Sequence, residues 1–137
     1  MKTPTDRKIE SFLKGRRFAV VGASGDRSKF GNKVYRDLKS KGYVVFAVNP
    51  HLKTVEGDAC YPNLKALPGP VDGVVFVTPP AVTEAVLREA KAAGISMAWT
   101  QPGAGSAEAI DFCAKNGIEL VHHECIMVEA SGTRNIA

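Results

Sequence analysis

The sequence predicts a doubly wound α/β domain, and three observations carry that expectation. Short Val-rich apolar runs alternate with segments whose apolar residues recur every three or four positions. Glycines close the helical segments, at Gly42, Gly94 and Gly117. The first apolar run opens directly into a glycine-bearing loop, "GASGDRSKFG". Strand–helix alternation of this kind builds a parallel sheet, and right-handed crossovers cover both of its faces. The expectation is one Rossmann-like domain over 1–137, core about 16–127, with about five parallel strands between helices.

The elements follow in order. "DRKIESFLKG" is an amphipathic helix with Ile9, Phe12 and Leu13 on one side and Gly15 as its stop. "RFAVVG" is a continuous apolar strand, buried on both faces. Phe30, Val34 and Leu38 mark the buried stripe of the next helix. "YVVFAVNP" is the second strand, ended by Pro50. "LKTVEGDACYPNLKALPGP" reads as a loop-rich connection with room for a short strand around Val55. "VDGVVFVTPP" is the third strand, with Asp72 serving the turn before it. Pro80 opens a helix whose expected buried stripe is Val82, Val86 and Ala90. "ISMAWTQPG" is the fourth strand, with Trp99 in the core or at a dimer surface. Ser106 caps a helix that turns Ile110 and Cys113/Ala114 inward. "IELVHHECI" is the fifth strand, and the small, polar tail "VEASGTRNIA" is expected to fray. The expected strand order is 3-2-1-4-5.

Composition narrows the class. A chain of 137 residues can bury one real core. No apolar run is long enough to span a membrane, and the first residues lack the apolar stretch of a signal peptide. Three widely spaced cysteines suit a reducing, cytoplasmic setting. The net charge is +4, and Lys and Arg concentrate before residue 55. With no RNA-reading aromatics, zinc-finger spacing or long basic run, that half suits a polyanionic small molecule better than nucleic acid.

In a doubly wound sheet, ligands sit beyond the carboxyl ends of the strands. There the first loop sets Gly22, Ala23, Ser24 and Gly25 before a helix. Small residues let backbone amides approach a phosphate, and the helix dipole favours an anion. Ser24 and Ser28 add hydroxyls and Lys29 a full charge. The plain alternative is a tight turn. A triphosphate loop would need G-x-x-x-x-G-K-[ST], but Gly31 is followed by Asn32. A nicotinamide dinucleotide site would need G-x-G-x-x-G and a carboxylate about twenty residues on. Gly22-x-x-Gly25 is offered instead, and Asn49 stands near the carboxylate's place. His51 or Lys53 keeps a phosphorylated ribose open.

Together "VVGAS", "GYVVFAVNP", "VEGDACYPNL", "VDGVVFVTPP", "AGISMAWTQPG" and "GIELV" with the later "EC" resemble the small stand-alone coenzyme A-binding proteins. These are similar to the N-terminal domain of the succinyl-CoA synthetase alpha subunit. The resemblance covers about Phe18 to Ile126. It implies coenzyme A as ligand, with Gly22, Ala23, Ser24, Lys29 and Gly31 around the pyrophosphate. It sets Asn49, Pro50, His51 and Lys53 near the phosphorylated ribose. Thr78, Pro79 and Val82 would flank adenine, and Gln101 and Gly103 would lie toward the pantetheine path or the opposite wall. One departure stands out: Glu124 occupies the place of the family's usual Arg before Cys125.

The expected function is non-catalytic binding of coenzyme A or an acyl-CoA. A second copy of the chain or an acyl-CoA enzyme is the expected macromolecular partner. An NAD(P)-binding oxidoreductase or regulatory subunit is the alternative, and an interaction domain with a vestigial pocket is a third. "HHEC" invites a metal or thiol chemistry at Cys125, but a strand alternates its faces and leaves two ligands at most on one side. A small core cysteine is the plainer reading.

Overall fold

Val and Ala crowd the first strand because both of its faces are covered. In the computed structural model, which describes residues 2–133, this strand (β1, Arg17–Val21) is central. Phe18 and Val20 point to one layer, and Ala19 and Val21 to the other. The first layer holds α1 (Pro4–Leu13), α2 (Phe30–Ser40) and α5 (Ile126–Thr133). The second holds α3 (Pro80–Ala92) and α4 (Ala107–Lys115). The remaining strands are β2 (Val44–Val48), β3 (Thr54–Val55), β4 (Asp58–Tyr61), β5 (Gly73–Phe76), β6 (Met97–Thr100) and β7 (Glu119–His122).

The sheet has seven strands in the order β3-β4-β2-β1-β5-β6-β7. All neighbours are parallel except the β3–β4 hairpin. Two expectations are thereby corrected. There are seven strands, not about five, because "TVEGDACY" pairs with itself and then beside β2. Glu56 and Gly57 make its two-residue turn, both at positive φ (51° and 80°). The run "VDGVVFV" was expected third in the 3-2-1-4-5 order, beside the second strand. It lies instead on the other side of β1, since β4 already occupies the place beside β2.

Local signals explain the helices. Thr3 and Asp6 form a reciprocal cap that starts α1. Phe12 then stacks on Phe18 at 4.7 Å and meets Trp99 edge-on at 5.4 Å. Gly73 makes room for it: a Cβ there would stand 2.5 Å from the Phe12 ring. Trp99 is fully buried and its Nε1 donates to the Glu124 carbonyl at 2.8 Å, so it is a core residue. Asp72 accepts from the Arg16 and Arg17 amides, which holds its carboxyl below the usual range.

Four local expectations shift. In α3 the buried residues are Thr83, Leu87 and Ala90, whereas Val82 is 43 % exposed. In α4 Ala109 and Cys113 face inward, whereas Ile110 and Ala114 are exposed. The last strand ends at His122, since His123 adopts φ of 67° and turns the chain. Cys125 therefore lies in that turn, not in the strand. Much of the tail expected to fray is α5, while Arg134–Ala137 lie outside the described residues. The start of α5 is held from afar: Gln101 Oε1 accepts from the Ile126 amide at 2.7 Å. Among the described residues no helix is long and apolar enough to cross a membrane.

Candidate functional site

Strand order reverses around β1, and a cavity of about 710 Å³ opens there at the carboxyl ends of β1, β2 and β5. The first loop shapes one wall. Gly22 has φ of 94°, and a Cβ on it would stand 2.3 Å from the Val77 carbonyl oxygen. Gly31 is tighter still: its Cβ would fall 2.0 Å from the Gly22 carbonyl oxygen. Gly31 is thus required for the loop to lie flat against the start of α2, and Gly22 for it to lie against the chain leaving β5. Gly25 is not, having open space around it.

Side chains brace this loop from behind. Asn32 is fully buried and donates to the Ser24 carbonyl at 2.9 Å and to Glu56 at 3.0 Å, while its oxygen accepts from Arg36 at 2.6 Å. The Asn32 bond, foremost, and the nearby Arg27 hold the Glu56 carboxyl below its ordinary range. Asn49 donates to the Ala23 carbonyl at 2.9 Å and accepts from the His51 amide at 2.8 Å. Ser24 accepts from the Asp26 amide, and Asp26 in turn accepts from Ser28. The loop is therefore held by its own hydrogen bonds. By contrast, Lys29 gives α2 no side-chain cap. The first amides of α2 and the Lys29 ammonium remain available to an anion.

Around this slot stand Ser24, Lys29 and Gly31 from the first crossover, Asn49, Pro50 and His51 from the end of β2, and Thr78 and Pro79 from the end of β5. Val82, Val86 and Glu89 of α3 and Phe30 of α2 form the more apolar walls. The Thr78 hydroxyl is engaged with that of Thr83 at 2.7 Å.

Residues 16–131 match the family described as the CoA binding domain. The chain belongs to this family. Its relatives include acetate–CoA ligase (ADP-forming) I of Archaeoglobus fulgidus, 29% identical over 118 residues, which are 79% of this chain and 17% of that one. The alpha subunit of acetate–CoA ligase (ADP-forming) II of Pyrococcus furiosus is 28% identical over 129 residues, 86% of this chain and 28% of that one. The chain thus spans less than a third of either ligase. Among solved structures, a conserved hypothetical protein of Pyrococcus furiosus is 46% identical, with a TM-score of 0.80, covering 83% of this chain and 98% of that one.

For this CoA-binding domain, most residues singled out in the sequence converge on the cavity. Gly22, Ser24, Lys29, Gly31, Asn49, Pro50, Thr78, Pro79 and Val82 all line it. Ala23 is buried beneath, its carbonyl held by Asn49. Lys53 is not among the residues lining this cavity; it sits just before β3, where its carbonyl accepts from the Cys60 amide. Gln101 is buried, bonded to Ile126 and at 3.4 Å from the Cys125 sulfur. Gly103, at φ of 91°, borders two smaller cavities nearby. Cys125 and Glu124 line none of these three cavities; Glu124 lies beside Glu129, whose carboxyl is pushed up by burial first and by Glu124 next.

Sequence reasoning missed Phe30, Val86 and Glu89 as lining residues, and Asn32 as the brace. The apolar ones carried a signal that was read as core. Glu89 lies one turn beyond Val86 on the same stripe, so the helical spacing could have found it.

Proposed function

We propose that this domain binds coenzyme A without catalysing a reaction, with the diphosphate at the start of α2. The observation that carries this reading is the pairing of an uncapped helix start and Lys29 with a strand end that offers no carboxylate. Asn49, in the carboxylate's place, has its amide nitrogen and oxygen committed to the Ala23 carbonyl and the His51 amide. A ribose with two free hydroxyls finds no carboxylate there to accept from both, whereas a phosphorylated ribose finds the His51 ring at the rim. Adenine fits against Val82 and Val86, with Glu89 at the rim to accept from its amino group. The pantetheine arm leaves past Phe30, Thr78 and Pro79 toward Gly103. The Ser24 and Thr78 hydroxyls of the lining are engaged in structural hydrogen bonds, which supports binding over nucleophilic catalysis. The relatedness to ligase subunits makes an acyl-CoA enzyme the proposed partner class.

A thermal-shift panel of CoA, acetyl-CoA, NAD, NADP and ATP tests this. At a hundredfold excess over Kd, a ligand of the folded state adds about 2.7 kcal/mol, or roughly 8 °C for a domain of this size. A shift with CoA and none with NAD or ATP is expected. A shift with NADP and none with millimolar CoA overturns the reading.

A further inference from the structure

The far end of the same sheet edge carries a second cavity of about 400 Å³, at the ends of β6 and β7. Two buried side-chain polar atoms have no hydrogen-bond partner among the described residues, Thr100 Oγ1 and His122 Nδ1, and both residues line this cavity. Thr100 is 1 % exposed. The two are register partners across β6 and β7, so their side chains leave the sheet side by side. Two residues earlier, Ala98 and Leu120 pack into the layer of α3 and α4, so Thr100 and His122 face the start of α4. Ser106 and Ile110 form the wall opposite.

Gly105 places no side chain against Thr100. Its φ lies outside the left-handed region, so its conformation does not demand glycine. A Cβ there would stand 3.1 Å from Thr100 Oγ1 and crowd the space over that hydroxyl. A buried polar group left unpaired costs about 1–3 kcal/mol. Two such groups side by side in the lining of one cavity, with no Cβ from Gly105 pressed onto the Thr100 hydroxyl, form a receptor for a ligand's polar atom.

A third cavity of about 390 Å³ bridges the two ends. It shares Phe30, Val77, Thr78 and Pro79 with the main cavity, and Gln101, Pro102 and Gly103 with the second. From β1 to β7 is three strand spacings, about 14 Å. A pantetheine arm, with about twelve backbone-like bonds, reaches roughly 14 Å when extended.

We propose that the β6–β7 cavity receives the acyl end of a short CoA thioester and hydrogen-bonds an oxygen on that acyl chain through Thr100 and His122. The inference rests on the CoA reading above. It names the ligand class: a short, oxygen-bearing acyl-CoA, not free CoA or a plain alkanoyl-CoA. Burial foremost, with His123 and Lys8 adding to it, holds the His122 imidazole below its ordinary range, so it serves as a neutral partner. The other ionisable group lining the cavity is His123; Glu84 approaches from α3 and is bonded to Ser106 at 2.6 Å.

Calorimetric titration of the whole chain with free CoA, butyryl-CoA and 3-hydroxybutyryl-CoA tests this, because the two thioesters differ by one hydroxyl. The hydroxylated one is expected to bind about tenfold tighter, roughly 1.4 kcal/mol. Thr100→Val keeps the shape and should erase that ratio while leaving free CoA affinity unchanged; Thr100→Ser should retain it. Gly105→Ala, which approaches from the opposite wall, should also lower the ratio and stands in if the valine variant fails to fold. Equal binding of the two thioesters, or a ratio that survives Thr100→Val or its stand-in, overturns the inference and spares the CoA reading. If none of the three ligands binds, both fall.

Discussion

The two ends of the sheet's carboxyl edge are built on opposite terms. Over β1 and β2, the side chains that shape the loop are paired with protein groups: Asn32 to three partners, Asn49 to two, Ser24 and Asp26 to the turn itself. Over β6 and β7, Thr100 Oγ1 and His122 Nδ1 are unpaired among the described residues, and the next residue, His123, holds φ of 67°. The first end fixes its shape before any ligand arrives and presents backbone amides. The second leaves polar atoms for a ligand to complete. A preorganised anchor at one end and an incomplete receptor at the other suit a long molecule whose diphosphate is constant and whose tip varies.

Variants break this comparison at graded cost. Gly31→Ala should act most strongly. Its Cβ would collide with backbone that cannot yield, costing about 3 kcal/mol in urea denaturation and abolishing CoA binding. Gly25→Ala, with open space around it, should be neutral or gain up to about 1 kcal/mol. Asn32→Ala follows, because it strands the Ser24 carbonyl and removes the acceptor of Arg36 Nε. A loss of about 2–3 kcal/mol is expected, with CoA affinity lowered as the loop loosens; unchanged binding would show that the brace does not serve the ligand.

Lys29→Glu separates binding from folding. Lys29 is exposed, so the urea midpoint should hold, while CoA and dephospho-CoA should each weaken about tenfold or more. A dephospho-CoA affinity left intact would move Lys29 from the diphosphate to the ribose phosphate. At the other end Thr100→Val should stabilise the ligand-free domain by about 1 kcal/mol, since it removes an unpaired hydroxyl. A destabilisation there would mean the hydroxyl has a partner after all.

The smallest effect is with pH. The folded domain resists protonating His122, whereas the unfolded chain protonates it near 6.5. Stability from this group is therefore present above about pH 6.5 and lost as pH falls through and below that value. Asp72 has a depressed carboxyl, so its contribution persists to lower pH and is lost only as pH falls below the ordinary 3.8. The Tm of the wild type should fall slightly between pH 7 and 5.5, and His122→Gln should flatten that part of the profile.

The first end was legible in the sequence because its logic is local. A strand, small residues, a lysine and a helix follow one another, and backbone geometry does the rest. Asn32 was not legible as a brace, since its partners Ser24 and Glu56 come together only in the fold. Val86 was read as core, and Val82 as both core stripe and adenine wall, because a ligand wall and a core stripe are both apolar at helical spacing. The stripe one residue over, Thr83, Leu87 and Ala90, is the one that packs. Lys53 was placed near the phosphorylated ribose by its charge and by the family resemblance, but it is not among the residues that line the cavity, whereas His51 is. The hairpin itself hides in a loop-rich stretch, because a two-residue strand has no period to detect. The helix α5 escaped notice for a related reason: its first amide is held by Gln101, 25 residues earlier. The β6–β7 receptor leaves no motif at all, being defined by partners that are missing.

A crystal structure with coenzyme A tests the central claim most directly. The diphosphate should lie against the first amides of α2, within reach of Lys29 Nζ, with the adenine along Val82 and Val86 and the thiol end heading for β7. Density for the ligand elsewhere, or a loop that stays empty at saturating coenzyme A, would contradict it.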